Sequence, residues 1–284
     1  EYSLDDALAH EPDAVIVSNP TALHLKVAIP AVRQGCYLLL EKPISDTLDR
    51  IDELTTLVEE NQSKVLVGYQ FRFHPVLNQI KDLIDSGSLG EITYVRAHWG
   101  EYLPDWHPWE DFAKSYAARK DLGGGVLLTL SHPIDYLNWF FGQVESVWGL
   151  LRKESSWNID VEDAADVFIR YRQGVLGRIH LNYLQHPAVH ELSLVGTNGS
   201  IFWSNNECRV IFLDDQSGEE SAISPPTDFE RNDLFVAEMK HFIEIVAGDK
   251  EPICTLEDGI LALRIARKIL EKDAARDFIP LVDT

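Results

Sequence analysis

Apolar residues in the first part of the chain fall in short unbroken runs separated by amphipathic stretches. Ala14-Val15-Ile16-Val17-Ser18, Cys36-Tyr37-Leu38-Leu39-Leu40 and Lys64-Val65-Leu66-Val67-Gly68 have the continuous apolar character of strands covered on both faces. Thr21 to Gln34 reads as a helix stopped by Gly35, with Pro30 expected to kink it. Ser45 and Asp46 are expected to cap a second helix carrying Leu48, Ile51, Leu54, Leu57 and Val58 on one face. Ser3 with Asp6 resembles a capping box ahead of Leu4, Ala7 and Leu8. Strands alternating with helices predict a right-handed, parallel βαβαβ arrangement.

From Phe71 the period changes. A helix is expected from Pro75 to Asp85, ending at Ser86-Gly87, and Glu91 to Gly100 alternates like a half-buried strand. A loop rich in aromatics runs from Tyr102 to Tyr116, and Gly123-Gly124-Gly125 leads into an apolar helix reaching Phe141-Gly142. Alternating strands are predicted near 144–153, 163–172, 175–184, 190–196, 200–204 and 208–213, with hairpin chemistry at Gln173-Gly174 and Asn198-Gly199. Residues 214–230, acidic and polar with Pro225-Pro226, read as an exposed loop; helices over 231–247 and 256–272 close the chain. This half predicts a large, mostly antiparallel sheet covered by helices on one face.

The best placed polar residues follow the second strand. Glu41-Lys42-Pro43 stands at its carboxyl end, where open parallel sheets form their ligand crevice. A lysine there can reach a ligand while its stem packs on protein, and the proline turns the chain sharply. The bland alternative is a surface turn with a solvated lysine. His132 titrates near neutrality and can hold or relay a proton. Asp135, three residues on, shares its helical face and can orient it or bind a hydroxyl. The alternative for His132 is a satisfied helix histidine. Arg72, between Phe71 and Phe73, reads as a binder of substrate oxygens or as a domain-bridging ion pair. Trp106, His107, Trp109 and Tyr116 suit the C–H faces of a pyranose, or tuck a loop onto the sheet.

Charge and composition narrow the partners. The 284 residues carry a formal net charge of −21, a field that repels nucleic acid and anionic membrane surfaces. A hydrophobic content of 45% with 25% charged residues is that of a globular protein in water. No apolar run reaches the length of a membrane span. Cys36, Cys208 and Cys254 show no disulfide framework, which fits a reducing cytoplasm. The ten histidines show no H-E-x-x-H spacing, so no metal site is expected, and no G-x-S-x-G elbow is present.

A βαβ unit ending in Glu41-Lys42-Pro43, then Gly68-Tyr69-Gln70-Phe71-Arg72-Phe73-His74-Pro75, then a glycine triplet leading to His132-Pro133-Ile134-Asp135, resembles the glucose–fructose oxidoreductase / inositol dehydrogenase / MocA-like oxidoreductases. The resemblance spans nearly the whole chain. It implies a nicotinamide-dependent (NAD or NADP) dehydrogenase acting on a sugar, cyclitol or related polyol, with Lys42 and His132 as proton-transfer candidates. It also implies that Ser18, Asn19, Pro20 and His24, with Glu41 and Lys42, meet the cofactor; Asn19 alone would read as a simple helix cap. The implied fold is an incomplete Rossmann-type parallel sheet over 1–68, followed over 69–284 by an α/β substrate-binding and dimerisation domain. A homodimer or higher homo-oligomer is expected.

The sequence departs from the family pattern in three places. The first strand, the Gly-x-Gly-x-x-Gly turn and the acidic residue that holds the ribose are absent, as if roughly 55–60 residues of the first mononucleotide-binding half were missing. Gln70 stands where Asn is often found, and Leu128-Thr129 where an acid is common. The chain alone is therefore expected to bind the dinucleotide weakly. A non-catalytic remnant that binds a sugar or dimerises is the alternative.

Overall fold

The computed structural model describes residues 3–205, 209–214, 218 and 220–272. Two sheets organise them. The smaller has three parallel strands in the order β1 (Ala14–Val17), β2 (Tyr37–Leu40), β3 (Val65–Val67). Leu38, Leu39 and Leu40 lie against Val65, Leu66 and Val67 in register and are buried with them. Helices α2 (His24–Arg33) and α3 (Ile51–Glu60) join the strands, as parallel pairing requires. Ala28, Ile29, Ala31 and Val32 of α2 are fully buried, and Pro30 is accommodated inside the helix.

The second sheet has eight strands in the order β11-β10-β9-β8-β4-β7-β6-β5. The elements are β4 (Ile92–Tyr102), β5 (Val144–Arg152), β6 (Ala164–Tyr171), β7 (Leu176–Asn182), β8 (Leu184–Gly196), β9 (Gly199–Ser204), β10 (Arg209–Asp214) and β11 (Glu220–Ile223). All neighbours run antiparallel except β4 and β7. Val95, Ala97 and Trp99 of β4 face inward, while Thr93 and Arg96 face out. Helices α6 (His132–Phe141) and α8 (Leu256–Lys272) belong to the covered side. Helix α8 packs on both sheets and requires glycine at each contact. A Cβ on Gly149 would meet the Ile269 side chain at 2.7 Å, and one on Gly259 would meet Ile44 at 2.7 Å.

Several expectations are corrected. Ser45 caps a turn, not a helix: its Oγ accepts from the Thr47 N–H at 3.3 Å, and α3 starts only after Arg50 turns the chain with φ 63°. The apolar helix after the glycine triplet is two pieces, α5 (Val126–Thr129) and α6, broken at Leu130-Ser131. Strand β8 begins at Leu184, six residues early, and β11 lies inside the stretch read as a loop. Other elements stand where the pattern puts them, including α1 (Leu4–Leu8) capped by Ser3, α4 (Pro75–Asp85) and α7 (Arg231–Val246). Cys36 and Cys254 are buried free thiols; Cys208 lies outside the described residues. No helix among the described residues is long and apolar enough to cross a membrane.

Candidate active site

Two cavities meet at the carboxyl end of β2. The larger, about 460 Å³, is walled by Glu41, Lys42, Gln70, Trp99, Glu101 and His132. Trp106, His107, Tyr116 and, from α7, Arg231 and Phe235 complete it. The smaller, about 310 Å³, lies under the end of β1 and is lined by Ser18, Asn19, Pro20, Thr21 and His24. Glu41, Lys42 and Tyr116 line both. The crevice position expected for the Glu-Lys-Pro turn therefore holds.

The turn itself is fixed from below. The Glu41 N–H donates to Val17 O at 3.0 Å, and the Lys42–Pro43 bond is cis. Gly68 at the end of β3 leaves room for the Glu41 side chain, since a Cβ there would lie 3.0 Å from Glu41 Oε2. Lys42 Nζ donates to the Thr129 carbonyl at 2.7 Å and forms no ion pair closer than 4.0 Å among the described residues. Burial pushes its pKa below the ordinary lysine value, Glu41 and Glu101 oppose that fall, and Arg231 adds to it. Burial raises the Glu41 carboxyl in turn, against the nearby Lys42. A lysine tuned downward in this way gives up its proton more readily than a solvated one, as a group that takes and returns a proton must.

His132 opens α6, 2% exposed, with Trp99 stacked on it at 5.2 Å and Tyr69 and Phe71 edge-on at 5.4 and 5.0 Å. Its Nδ1 has no hydrogen-bond partner among the described residues. Burial pushes the ring well below its ordinary pKa, reinforced by Lys42, His190 and Arg231, so it is neutral at pH 7. His132 and Lys42 are thus brought together on one cavity wall, with no hydrogen bond between His132 and Asp135.

His24 has another task as well. Its Nδ1 lies 2.9 Å from the Pro43 carbonyl and its Nε2 2.8 Å from that of Asn19, tying the β1 turn to the β2 turn. A neutral ring can donate to only one of these carbonyls, and burial lowers its pKa against the pull of both. Asn19 donates Nδ2 to Leu23 O at 3.3 Å, but its Oδ1 is buried without a partner among the described residues.

Arg72 and Asp135 must be reassigned. Arg72 donates Nη2 and Nε to Asp135 at 2.7 and 3.1 Å, and Nη1 to Ile253 O at 2.8 Å and Asp258 at 3.1 Å. Both residues are at most 2% exposed and neither lines the cavity. They pin the segments before α4, α6 and α8 together, which is the ion-pair reading of Arg72. The aromatic loop divides similarly. Trp106, His107 and Tyr116 line the larger cavity, whereas Trp109 is 80% exposed and stands outside it.

Sequence reasoning did not single out Trp99, Glu101, Arg231 or Phe235. Glu101 and Trp99 sit at the end of β4 beside the aromatic loop, and Trp99 Nε1 donates to Glu101 Oε1 at 2.8 Å. That strand end could have signalled them; Arg231, far away in sequence, offers no local signal. No group of three or more His, Cys, Asp or Glu among the described residues is placed to hold a metal ion.

Comparison with known proteins adds the lineage. Residues 1–69 match the description "Oxidoreductase family, NAD-binding Rossmann fold", and residues 77–202 match "GFO/IDH/MocA C-terminal domain". The chain is 28% identical to an uncharacterized oxidoreductase of Synechocystis sp., over 73% of this chain and 59% of the relative's length. It is 26% identical to the scyllo-inositol 2-dehydrogenase (NAD(+)) of Bacillus subtilis, over 89% of this chain and 73% of the relative. Levoglucosan dehydrogenase, solved in complex with NADH and levoglucosan, shares the fold with a TM-score of 0.83 at 20% identity, over 92% of this chain and 78% of that one. The chain belongs to the glucose–fructose oxidoreductase / inositol dehydrogenase / MocA family of oxidoreductases.

Proposed function

We propose that this site interconverts a secondary alcohol and a ketone on a sugar, cyclitol or sugar derivative, with Lys42 as the proton acceptor. One observation carries the reading: Lys42, half-buried and tuned downward, stands where the two cavities join. The residues of the smaller cavity fit a nicotinamide, because the unpartnered Asn19 Oδ1 offers an acceptor to a carboxamide N–H. When bound, NAD+ or NADP+ supplies the hydride acceptor. In the oxidation, Lys42 Nζ takes the hydroxyl proton as the C–H bond gives up its hydride, and in reverse it returns that proton. His132, neutral and adjacent, holds or relays the proton from the second side. Trp106, His107 and Tyr116 seat the sugar, and Phe235 adds an apolar wall.

The 284 residues contain no Gly-x-Gly-x-x-Gly turn, which favours weak diphosphate binding by this chain and keeps open a second reading, a fold that binds a sugar without redox chemistry. Titration with NAD+ and NADP+, followed by a hydride-transfer assay over a sugar and cyclitol panel, separates the two. Absorbance growth at the reduced-nicotinamide band supports the enzyme; sugar binding with no turnover by this chain or by a form extended upstream supports the second. The outer face of the large sheet, with Trp148, Leu176 and Val195 exposed, suits pairing with a second copy, which light scattering would register as a doubled mass. A reducing cytoplasm suits the two free thiols.

A further inference from the structure

Three carboxylates, Glu41, Glu101 and Asp105, line the larger cavity together with two cations, Lys42 and Arg231. Each carboxylate already has a donor. Glu101 accepts from Trp99 Nε1 at 2.8 Å, Asp105 Oδ2 faces His186 Nδ1 at 3.3 Å, and Glu41 Oε2 accepts from the Lys42 N–H at 3.3 Å. Lys42 is committed to the Thr129 carbonyl. The guanidinium of Arg231 has no hydrogen bond or ion pair among the described residues, although it lies close enough to Lys42 and His132 to disfavour a positive charge on either.

The backbone that carries Arg231 is held firmly. It is the first residue of α7, directly after the Glu230 N-cap, whose side chain is answered by Asp233 in a reciprocal capping box. One turn on, Phe235 is 39% exposed on the same cavity wall. The helix thus presents, from a fixed backbone position, a guanidinium unpaired among the described residues beside an apolar surface. A planar guanidinium matches the oxygens of a carboxylate or phosphate in bidentate fashion, and a neutral polyol leaves that capacity unused. A chain with a net charge of −21 repels anions at long range, so an anionic ligand needs a local cation of this kind.

We propose that the cavity takes a sugar bearing an anionic group, a carboxylate or a phosphate, and that Arg231 is the residue that selects it. The proposal rests on the reading of this cavity as a sugar site. Calorimetric titration of the full chain with D-glucuronate, D-glucose 6-phosphate and D-glucose tests it, in the wild type and in R231Q. At least one anionic sugar should bind about tenfold or more tightly than glucose. R231Q should lose that advantage, binding the anionic sugars no more tightly than glucose, with a far-UV spectrum like the wild type because the side chain is exposed. Glucuronate ahead of glucose 6-phosphate assigns the carboxylate, and the reverse order the phosphate. Glucose binding as tightly as both anions, no binding of any of the three, or a preference that survives R231Q overturns the proposal. Hydride transfer plays no part in this readout. A protein that binds the anion through Arg231 yet reduces neither NAD+ nor NADP+ defeats the dehydrogenase reading and leaves this one standing.

Discussion

Lys42, half-buried, and Arg72, fully buried, are both cations that follow strands of the small sheet, and the fold treats them in opposite ways. Every nitrogen of Arg72 is spent: two on Asp135, one shared between Asp258 and the Ile253 carbonyl. Burial works against its charge, but Asp135 more than reverses that and holds it firmly protonated. Lys42 has one backbone carbonyl and a pKa pushed down. A buried charge with a full set of partners is architecture, whereas one with an incomplete set is poised for chemistry. Before the fold is known, the two look alike.

The largest effect expected from breaking this contrast is on rate. Lys42→Ala should lower turnover by roughly two to four orders of magnitude, the scale of a lost general acid–base group. Lys42→Met should do the same while melting at or above the wild-type temperature, because partial burial of the ammonium opposes folding. Steady-state kinetics beside a thermal melt measure both, and a methionine variant with normal turnover would remove Lys42 from the reaction.

Arg72→Ala should behave in reverse. It strands Asp135 in the interior without its cation, with only the Cys254 thiol 3.8 Å away, a change that costs about 3–5 kcal/mol. Urea unfolding should show it, with turnover per folded molecule little changed. A variant that is normally stable but fails to bind sugar would return Arg72 to the cavity.

The pH dependence sharpens the comparison on the lysine side. The folded pKa of Lys42 lies below its unfolded value, so between the two the unfolded chain holds more protons and this group's contribution to stability rises with pH. Oxidation should speed up as pH climbs through the folded value and then level off. Lys42→Met should flatten both responses, and a rate profile identical in wild type and variant would assign the titration to another group.

How far this contrast could be read beforehand depends on distance along the chain. The lysine at the β2 end was legible because a strand and its crevice are local features. The Arg72–Asp135–Asp258 network was legible only as an alternative, since its partners come from three separate segments. Ser45 misled because a hydroxyl accepting from a nearby N–H looks the same in a turn and in a helix cap. The early start of β8 was hidden by Pro187, because a proline inside a run argues against a strand there. Arg231 carries no local mark at all. Its meaning appears only once α7 is laid against the β2 turn.

Glu238 supplies the smallest and most discriminating test. It is 3% exposed on α7, its Oε1 has no partner among the described residues, and burial with help from Glu41 pushes its pKa up to about 8. Its circumstances resemble those of Lys42, yet it does not line the cavity. If it only fills space as a neutral acid, Glu238→Gln should keep turnover within about threefold, well under the loss a general acid–base group causes. The stability signature follows from the raised folded pKa. The wild type is unpenalised below the ordinary glutamate pKa of about 4.3, and loses stability as pH rises from there to about 8, where the folded group also ionises. The glutamine variant escapes that loss, so the gap between the two should open with pH and level off above 8. Denaturant midpoints at pH 5 and pH 8.5 would show it. A tenfold or greater fall in turnover with no such gap would place Glu238 with Lys42, as a proton holder acting through Glu41, and the rule that lining the cavity separates chemistry from architecture would have to give way.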